Sequence, residues 1–218
     1  MTDIFTGTRG FIFDCDGTLL DSMQAWNEAE DALQRMANAP VSPEDATSIH
    51  ALPIEESAAL WHEKYGVGES TEDVLAIEDN VLLSFYRERV EVLPGVRAML
   101  ERAQEQGIPC CVVTSSPKRY VQAGLERWGL ASFFAEICTT DELGMTKEET
   151  AIYEHAMATM GSTPETTWGF DDAVYAVNTM TRAGIRTVGA FDPNNTSHPF
   201  EDLQAAATVA VHSLEELL

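Results

Sequence analysis

The sequence predicts an α/β fold: a doubly wound parallel sheet with an inserted α-helical segment. Three observations lead there. Short runs that are apolar on both faces recur at Gly10-Phe11-Ile12-Phe13, Cys110 to Val113, Trp168 to Phe170, Thr187 to Phe191 and Thr208 to Val211. Strands of that kind belong to parallel sheets covered by helices on both sides. Helical patterns alternate with these runs, over Val96 to Gln106, Pro117 to Trp128, Glu148 to Met160 and Val174 to Ala183. Each is followed by a glycine, the residue best suited to the left-handed position after a helix. The alternation then fails between residues 22 and 91, where the pattern is helical throughout.

That interruption falls between the first and second strand runs and reads as an inserted domain. The expected boundaries are 1–21 and 92–218 for the sheet-bearing core and 22–91 for the helical cap. Met23, Trp26, Leu33 and Met36 fall on one stripe of a first helix, which packing inside a bundle explains. Ser42-Pro43-Glu44-Asp45 has an N-cap residue, proline at the first helical position and acids in the first turn. Ile54 to Tyr65 and Thr71 to Val90 complete about four helices, and the chain returns to the core near Leu93-Pro94-Gly95.

Composition narrows the function classes. Thirteen Lys and Arg stand against 36 Asp and Glu, for a formal charge of −23 over 218 residues. Such a surface repels nucleic acid and anionic membranes, so neither is an expected partner. The inserted segment carries −11 of that charge. No stretch approaches the length of apolar chain that spans a bilayer, and the first ten residues lack the pattern of a secretion signal. Cys15, Cys110, Cys111 and Cys138 form no disulfide framework and no C-x-x-C zinc pair. The expectation is a reduced, cytoplasmic protein, monomeric or homodimeric.

The sharpest motif is Asp14-Cys15-Asp16-Gly17-Thr18, at the C-terminal end of the first strand run. That edge of a doubly wound sheet is where ligands bind. Two aspartates two apart bring both carboxylates near one pocket, and Gly17 permits the tight turn after them.

The stretch Phe11 to Ser22 resembles the first motif of the haloacid dehalogenase-like hydrolases, in particular the phosphatase and phosphomutase branch with an inserted helical cap. Three further motifs follow in that family's order. Val112-Val113-Thr114-Ser115-Ser116 is similar to the second, Lys147 followed by Ile152-Tyr153 to the third, and Gly169-Phe170-Asp171-Asp172 to the fourth. The resemblance thus runs over essentially the whole chain and implies a Rossmann-like core.

The chemistry of these residue types agrees. Phosphoryl transfer needs a nucleophile, neutralisation of the phosphoryl oxygens and a proton for the leaving oxygen. Asp14 is the candidate nucleophile, forming an aspartyl-phosphate, and Asp16 the candidate acid and base. Asp14, Asp16, Asp171 and Asp172 would repel one another and a phosphate, which a hard dication such as Mg²⁺ relieves. The resemblance assigns Mg²⁺ to Asp14, the backbone carbonyl of Asp16, and Asp172, with Asp171 a direct ligand or one acting through water. Charge counting favours one neutral carboxyl, and Asp16, which must donate a proton, is the expected one. Thr114 is expected to bond a phosphoryl oxygen, Ser115 to help through its N–H, and Lys147 to neutralise charge.

Two departures from the family stand out. Glu148 replaces the proline usual after the lysine, where an acid could swing Lys147 aside. Ala173 replaces the serine usual after the acidic pair, removing a hydrogen bond that supports the metal ligands. In the cap, the turn His50-Ala51-Leu52-Pro53 is the segment expected to reach the substrate. His50 is a candidate substrate contact, with ordinary packing as the alternative. Lys118 either touches the leaving group or is exposed. The arginine of the related sugar-phosphate mutases falls on Ile54, which favours hydrolysis of a small phosphorylated metabolite over mutase activity. The mutase is the runner-up. A phospho-acceptor receiver domain or silent binding protein, from a different class, fits less well because a receiver has no cap and is about half as long.

Overall fold

The computed structural model describes residues 3–42, 45, 49, 52, 54–195 and 197–218. The chain divides into two compact units, Met1–Met23 with Val90–Leu218, and Gln24–Arg89.

The first unit is built on a six-stranded parallel sheet. Its strands are β1 (Gly10–Phe13), β4 (Cys110–Thr114), β5 (Phe134–Thr139), β6 (Thr167–Asp171), β7 (Arg186–Ala190) and β8 (Val209–Val211), in the order β5-β4-β1-β6-β7-β8. A two-residue antiparallel pair, β2 (Leu20–Asp21) with β3 (Glu91–Val92), lies where the chain leaves and rejoins this unit. The covering helices are α4 (Val96–Glu105), α5 (Lys118–Arg127), α6 (Thr140–Leu143), α7 (Thr150–Met160), α8 (Val174–Arg182) and α9 (Phe200–Ala206). The expected fold class is therefore the observed one. The helix α7 ends at Gly161, whose φ of 64° is the left-handed conformation that a C-cap glycine supplies.

β1 sits centrally, and its four residues are all buried. Phe13 stacks on Phe170 of β6 with ring centroids 4.4 Å apart, and Phe11 meets Phe170 edge-on at 5.4 Å. Burying each such ring is worth about 1.5–3 kcal/mol. The pairing continues past the strand, where Asp14 N–H donates to Phe170 O at 2.8 Å. The strand order runs outward from β1 in one direction and from β6 in the other. The ends of β4, β1 and β6 are thus neighbours at the point where a parallel sheet opens a crevice.

Sequence pattern missed β5. Its first three residues are only half-buried or exposed, so this edge strand has no continuous apolar run. It also missed α9, a short helix with one buried residue, Leu203.

The second unit contains α1 (Met23–Met36), α2 (Ile54–Tyr65) and α3 (Thr71–Glu88). Its core gathers Leu33, Ile49, Ala58, Trp61, Tyr65, Val67 and Val74. The proposed Met and Trp stripe needs correction: Ala25, Ala29 and Leu33 form the buried face of α1, while Met36 is 49% exposed. Those alanines are four apart and leave room for close packing, a signal that bulk hydrophobicity hides. Ser42 accepts the Asp45 N–H at 3.1 Å, as an N-cap does. Arg89 holds Glu28 through two bonds of 3.0 and 2.6 Å. The rest of the expected helix after Ser42, and the turn carrying His50, lie outside the described residues. No helix among the described residues is long and apolar enough to cross a membrane.

Candidate active site

Three of the four motifs end a strand or begin the loop after it, and the third, at Lys147, lies in the turn between α6 and α7. From β1 the chain turns through Asp14 to Thr18, with Leu19 and Leu20 N–H both donating to Cys15 O. Gly17 adopts φ +79°. A β-carbon there would lie 2.7 Å from Asp172 Oδ2 and 3.0 Å from Asp192 Oδ2, so only glycine lets the turn pass between these carboxylates. From β4 come Thr114, 1% exposed, and Ser116, whose N–H donates to Thr114 Oγ1 at 3.0 Å. From β6 come Asp171 and Asp172, both buried.

Lys147 ties these ends together. Its Nζ lies 2.9 Å from Asp14 Oδ1 and 2.6 Å from Asp171 Oδ2, and the residue is 4% exposed. Tyr153 of α7 anchors its backbone, donating its hydroxyl to Lys147 O at 3.1 Å. Asp16 is gripped by two serines: Ser116 Oγ donates to Oδ2 at 2.6 Å, and Ser22 Oγ donates to Oδ1. Asp171 accepts the Ala173 N–H at 2.9 Å.

The electrostatics follow from packing acids into a dry pocket. Burial pushes the Asp14 carboxyl well above its usual range; Lys147 opposes this, and the neighbouring acids add to it. Burial, then the Asp171 charge, raises Asp172 to about 7. Burial alone would lower the Lys147 ammonium, but Asp14 and Asp171 outweigh it and hold the group well above the usual lysine range. Asp14, Asp171 and Asp172 each place one carboxylate oxygen within 4.8 Å of the others. An all-oxygen, anionic donor set of this kind suits a hard dication such as Mg²⁺ and not a thiophilic metal.

The pattern of a family profile described as haloacid dehalogenase-like hydrolase matches residues 11–190. The chain belongs to the haloacid dehalogenase-like hydrolases. Hexitol phosphatase B of Escherichia coli O157:H7 is 28% identical, aligned over 94% of this chain and 92% of that protein. Validoxylamine A 7'-phosphate phosphatase of Streptomyces hygroscopicus subsp. limoneus is also 28% identical, over 94% of each. A solved structure of CbbY from Rhodobacter sphaeroides in complex with phosphate shares the fold, with TM-score 0.76, 22% identity and 96% of each chain covered.

In this hydrolase, Asp14, Asp171 and Lys147 meet directly, and Ser116 links Asp16 to Thr114. Ser115 is exposed. Lys118 Nζ is held by Glu142 at 2.8 Å, with its side chain partly open to solvent. His50 lies outside the described residues. Glu148 is exposed and does not draw Lys147 from its two aspartates.

Several contributors escaped the sequence reading. Asn195, from the loop after β7, donates to Asp172 Oδ2 at 2.7 Å and supplies a support that Ala173 cannot. Asp192 in the same loop is 2% exposed, and its Oδ2 has no hydrogen-bond partner among the described residues. Ser22 and Ser116 stood inside quoted motifs without a role. The one available signal for Asp192 and Asn195 was their position after a strand run, at the same sheet edge as the motifs.

Proposed function

We propose that this hydrolase is a Mg²⁺-dependent phosphatase that cleaves a small phosphomonoester through an aspartyl-phosphate on Asp14. The observation that carries the reading is Lys147, bridging Asp14 and Asp171 while a separate aspartate, Asp16, is held by two serine hydroxyls. One carboxylate is thereby placed against a cation, while the other is held in a fixed orientation by two hydroxyl donors.

Asp14, Asp171 and Asp172 would hold Mg²⁺, with the carbonyl of Asp16 assigned by family resemblance. Bound there, Mg²⁺ offsets the negative charge of acids and phosphate and orients the phosphoryl group. A carboxylate oxygen of Asp14 attacks phosphorus, and the bond from phosphorus to the leaving oxygen breaks. Asp16 gives that oxygen its proton, so the alcohol departs neutral. Asp16 then takes a proton from water, whose oxygen attacks phosphorus and releases phosphate, restoring Asp14. Lys147 neutralises charge on nucleophile and phosphoryl oxygens. Thr114 Oγ1 already accepts the Ser116 N–H, which leaves its hydroxyl proton to donate to a phosphoryl oxygen. The Ser115 N–H is the second donor. We assign leaving-group choice to the inserted segment, 22–91.

The names of the relatives support a phosphorylated hexitol or other carbohydrate as substrate class. The test is phosphate release from a panel of hexitol phosphates, sugar phosphates and phosphoglycolate. Release that requires Mg²⁺ and stops with chelator supports the reading. Absence of release from any member, with isomerisation of a hexose phosphate instead, would replace it with the mutase.

A further inference from the structure

A second cluster of ligating side chains lies away from the aspartates, where α7 covers the edge strand β5. Glu136 and Cys138 are two apart on β5 and so face the same side. His155 and Thr159 are four apart on α7 and face them. His155 Nε2 lies 3.1 Å from both carboxylate oxygens of Glu136, and Thr159 Oγ1 donates to Oε2 at 2.7 Å. One ligand atom each of Glu136, Cys138 and His155 falls within 4.8 Å of the others. On the neighbouring strand β4, Cys111 is the register partner of Glu136, and its thiol donates to Ala156 O of α7 at 3.9 Å.

We propose that Glu136, Cys138 and His155 form a binding site for a thiophilic divalent transition metal of the zinc class, with the Cys111 sulfur beside it. Nitrogen, sulfur and a single carboxylate are the donors such ions prefer, and the opposite of the all-oxygen set around Asp14. Three features of the setting support it. The imidazole and carboxylate are 35% and 34% exposed, so an ion can reach them, while Cys138 is 1% exposed and closes the inner side. Thr159 already orients the carboxylate, as an outer-shell partner of a ligand does. The nearby Lys118 ammonium, whose charge would oppose a cation here, is instead paired with Glu142 at 2.8 Å.

Binding follows a balanced exchange: the Cys138 S–H bond breaks, the sulfur bonds the ion, and one proton leaves to solvent. The neighbouring Cys111 and burial keep the Cys138 thiol protonated in the absence of an ion. An ion entering this site therefore releases a proton.

Cobalt titration of the full chain reads the site directly. Co²⁺ bound to a thiolate gives a near-ultraviolet charge-transfer band, and aspartate-bound Co²⁺ does not. The expected result is a band saturating at one equivalent, bleached by Zn²⁺, abolished in Cys138→Ser and weakened at least about tenfold in affinity in His155→Gln. His155 is half-buried, and glutamine keeps a polar side chain of similar reach there, so the second variant preserves the packing of α7 on β5. No band in wild type, or a band unchanged in either variant, would overturn the proposal and leave Glu136 and His155 as a structural bridge between α7 and β5.

Discussion

Replacing Lys147 with methionine, which keeps the length of the stem and removes the charge, isolates the electrostatic role of this residue. Lys147 is 4% exposed and lies within 3 Å of two buried carboxylates, with Asp172 beside them. Removing one partner of a buried pair typically costs about 3–5 kcal/mol, because the remaining charge stays desolvated. For a chain of this size each kcal/mol shifts the melting temperature by about 2–4 °C, so the variant should melt roughly 6–20 °C lower near neutral pH. The sign with pH follows from linkage. Lys147 is raised, so its stabilisation is present below the unfolded lysine value and persists through neutrality. Asp14 and Asp172 are raised, so each penalises folding increasingly as pH rises from the unfolded carboxyl value through its folded one, about 7 for Asp172. Without Lys147 that penalty is unopposed. The gap between wild type and Lys147→Met should therefore be small at about pH 5, where the acids take up protons, and large at about pH 8. Calorimetry at both pH values, with and without Mg²⁺, measures it, and Mg²⁺ should narrow the gap. A variant that melts with wild type at the higher pH would show that the ammonium does not compensate these acids.

Two further outcomes follow from the same pocket. Asn195→Ala removes the side-chain donor to Asp172 Oδ2 and should weaken Mg²⁺ binding by about tenfold in calorimetric titration, whereas an unchanged affinity would remove Asn195 from the support of that ligand. Mg²⁺ affinity should itself rise about tenfold between pH 6 and pH 8, since Asp172 must lose a proton near 7 before it can bind the ion; a flat profile would contradict a role for Asp172 as ligand.

The core of the fold was legible where burial is two-sided. β1, β4 and β6 read as unbroken apolar runs because helices cover both faces of the sheet, and the chemistry sits on the residues that end them. β5 was not legible, since an edge strand with Glu136 and Ala135 half-open to solvent lacks that signature. The cap face of α1 misled for a related reason: small residues at Ala25 and Ala29 make the contact, while a more conspicuous methionine, Met36, stays outside. In the site, Asp14, Asp16, Thr114, Lys147, Asp171 and Asp172 could be picked out because each follows a strand or fits a motif. Their partners could not. Ser116 reaches Asp16 across 100 positions of chain, and Asn195 reaches Asp172 across 23, so only the folded sheet edge brings them together. Asn195 supports Asp172 from a loop that local sequence does not connect to the acidic pair.

The claim on which the rest depends is that Asp14 carries the phosphoryl group. Acid quenching during turnover, followed by mass spectrometry of the peptide spanning Asp14, tests it most directly. The expected result is a labile phosphoryl adduct on Asp14 that forms only with Mg²⁺ and is absent, together with turnover, in Asp14→Asn. Turnover that persists in Asp14→Asn, or a phosphoryl group on a different side chain, would contradict it.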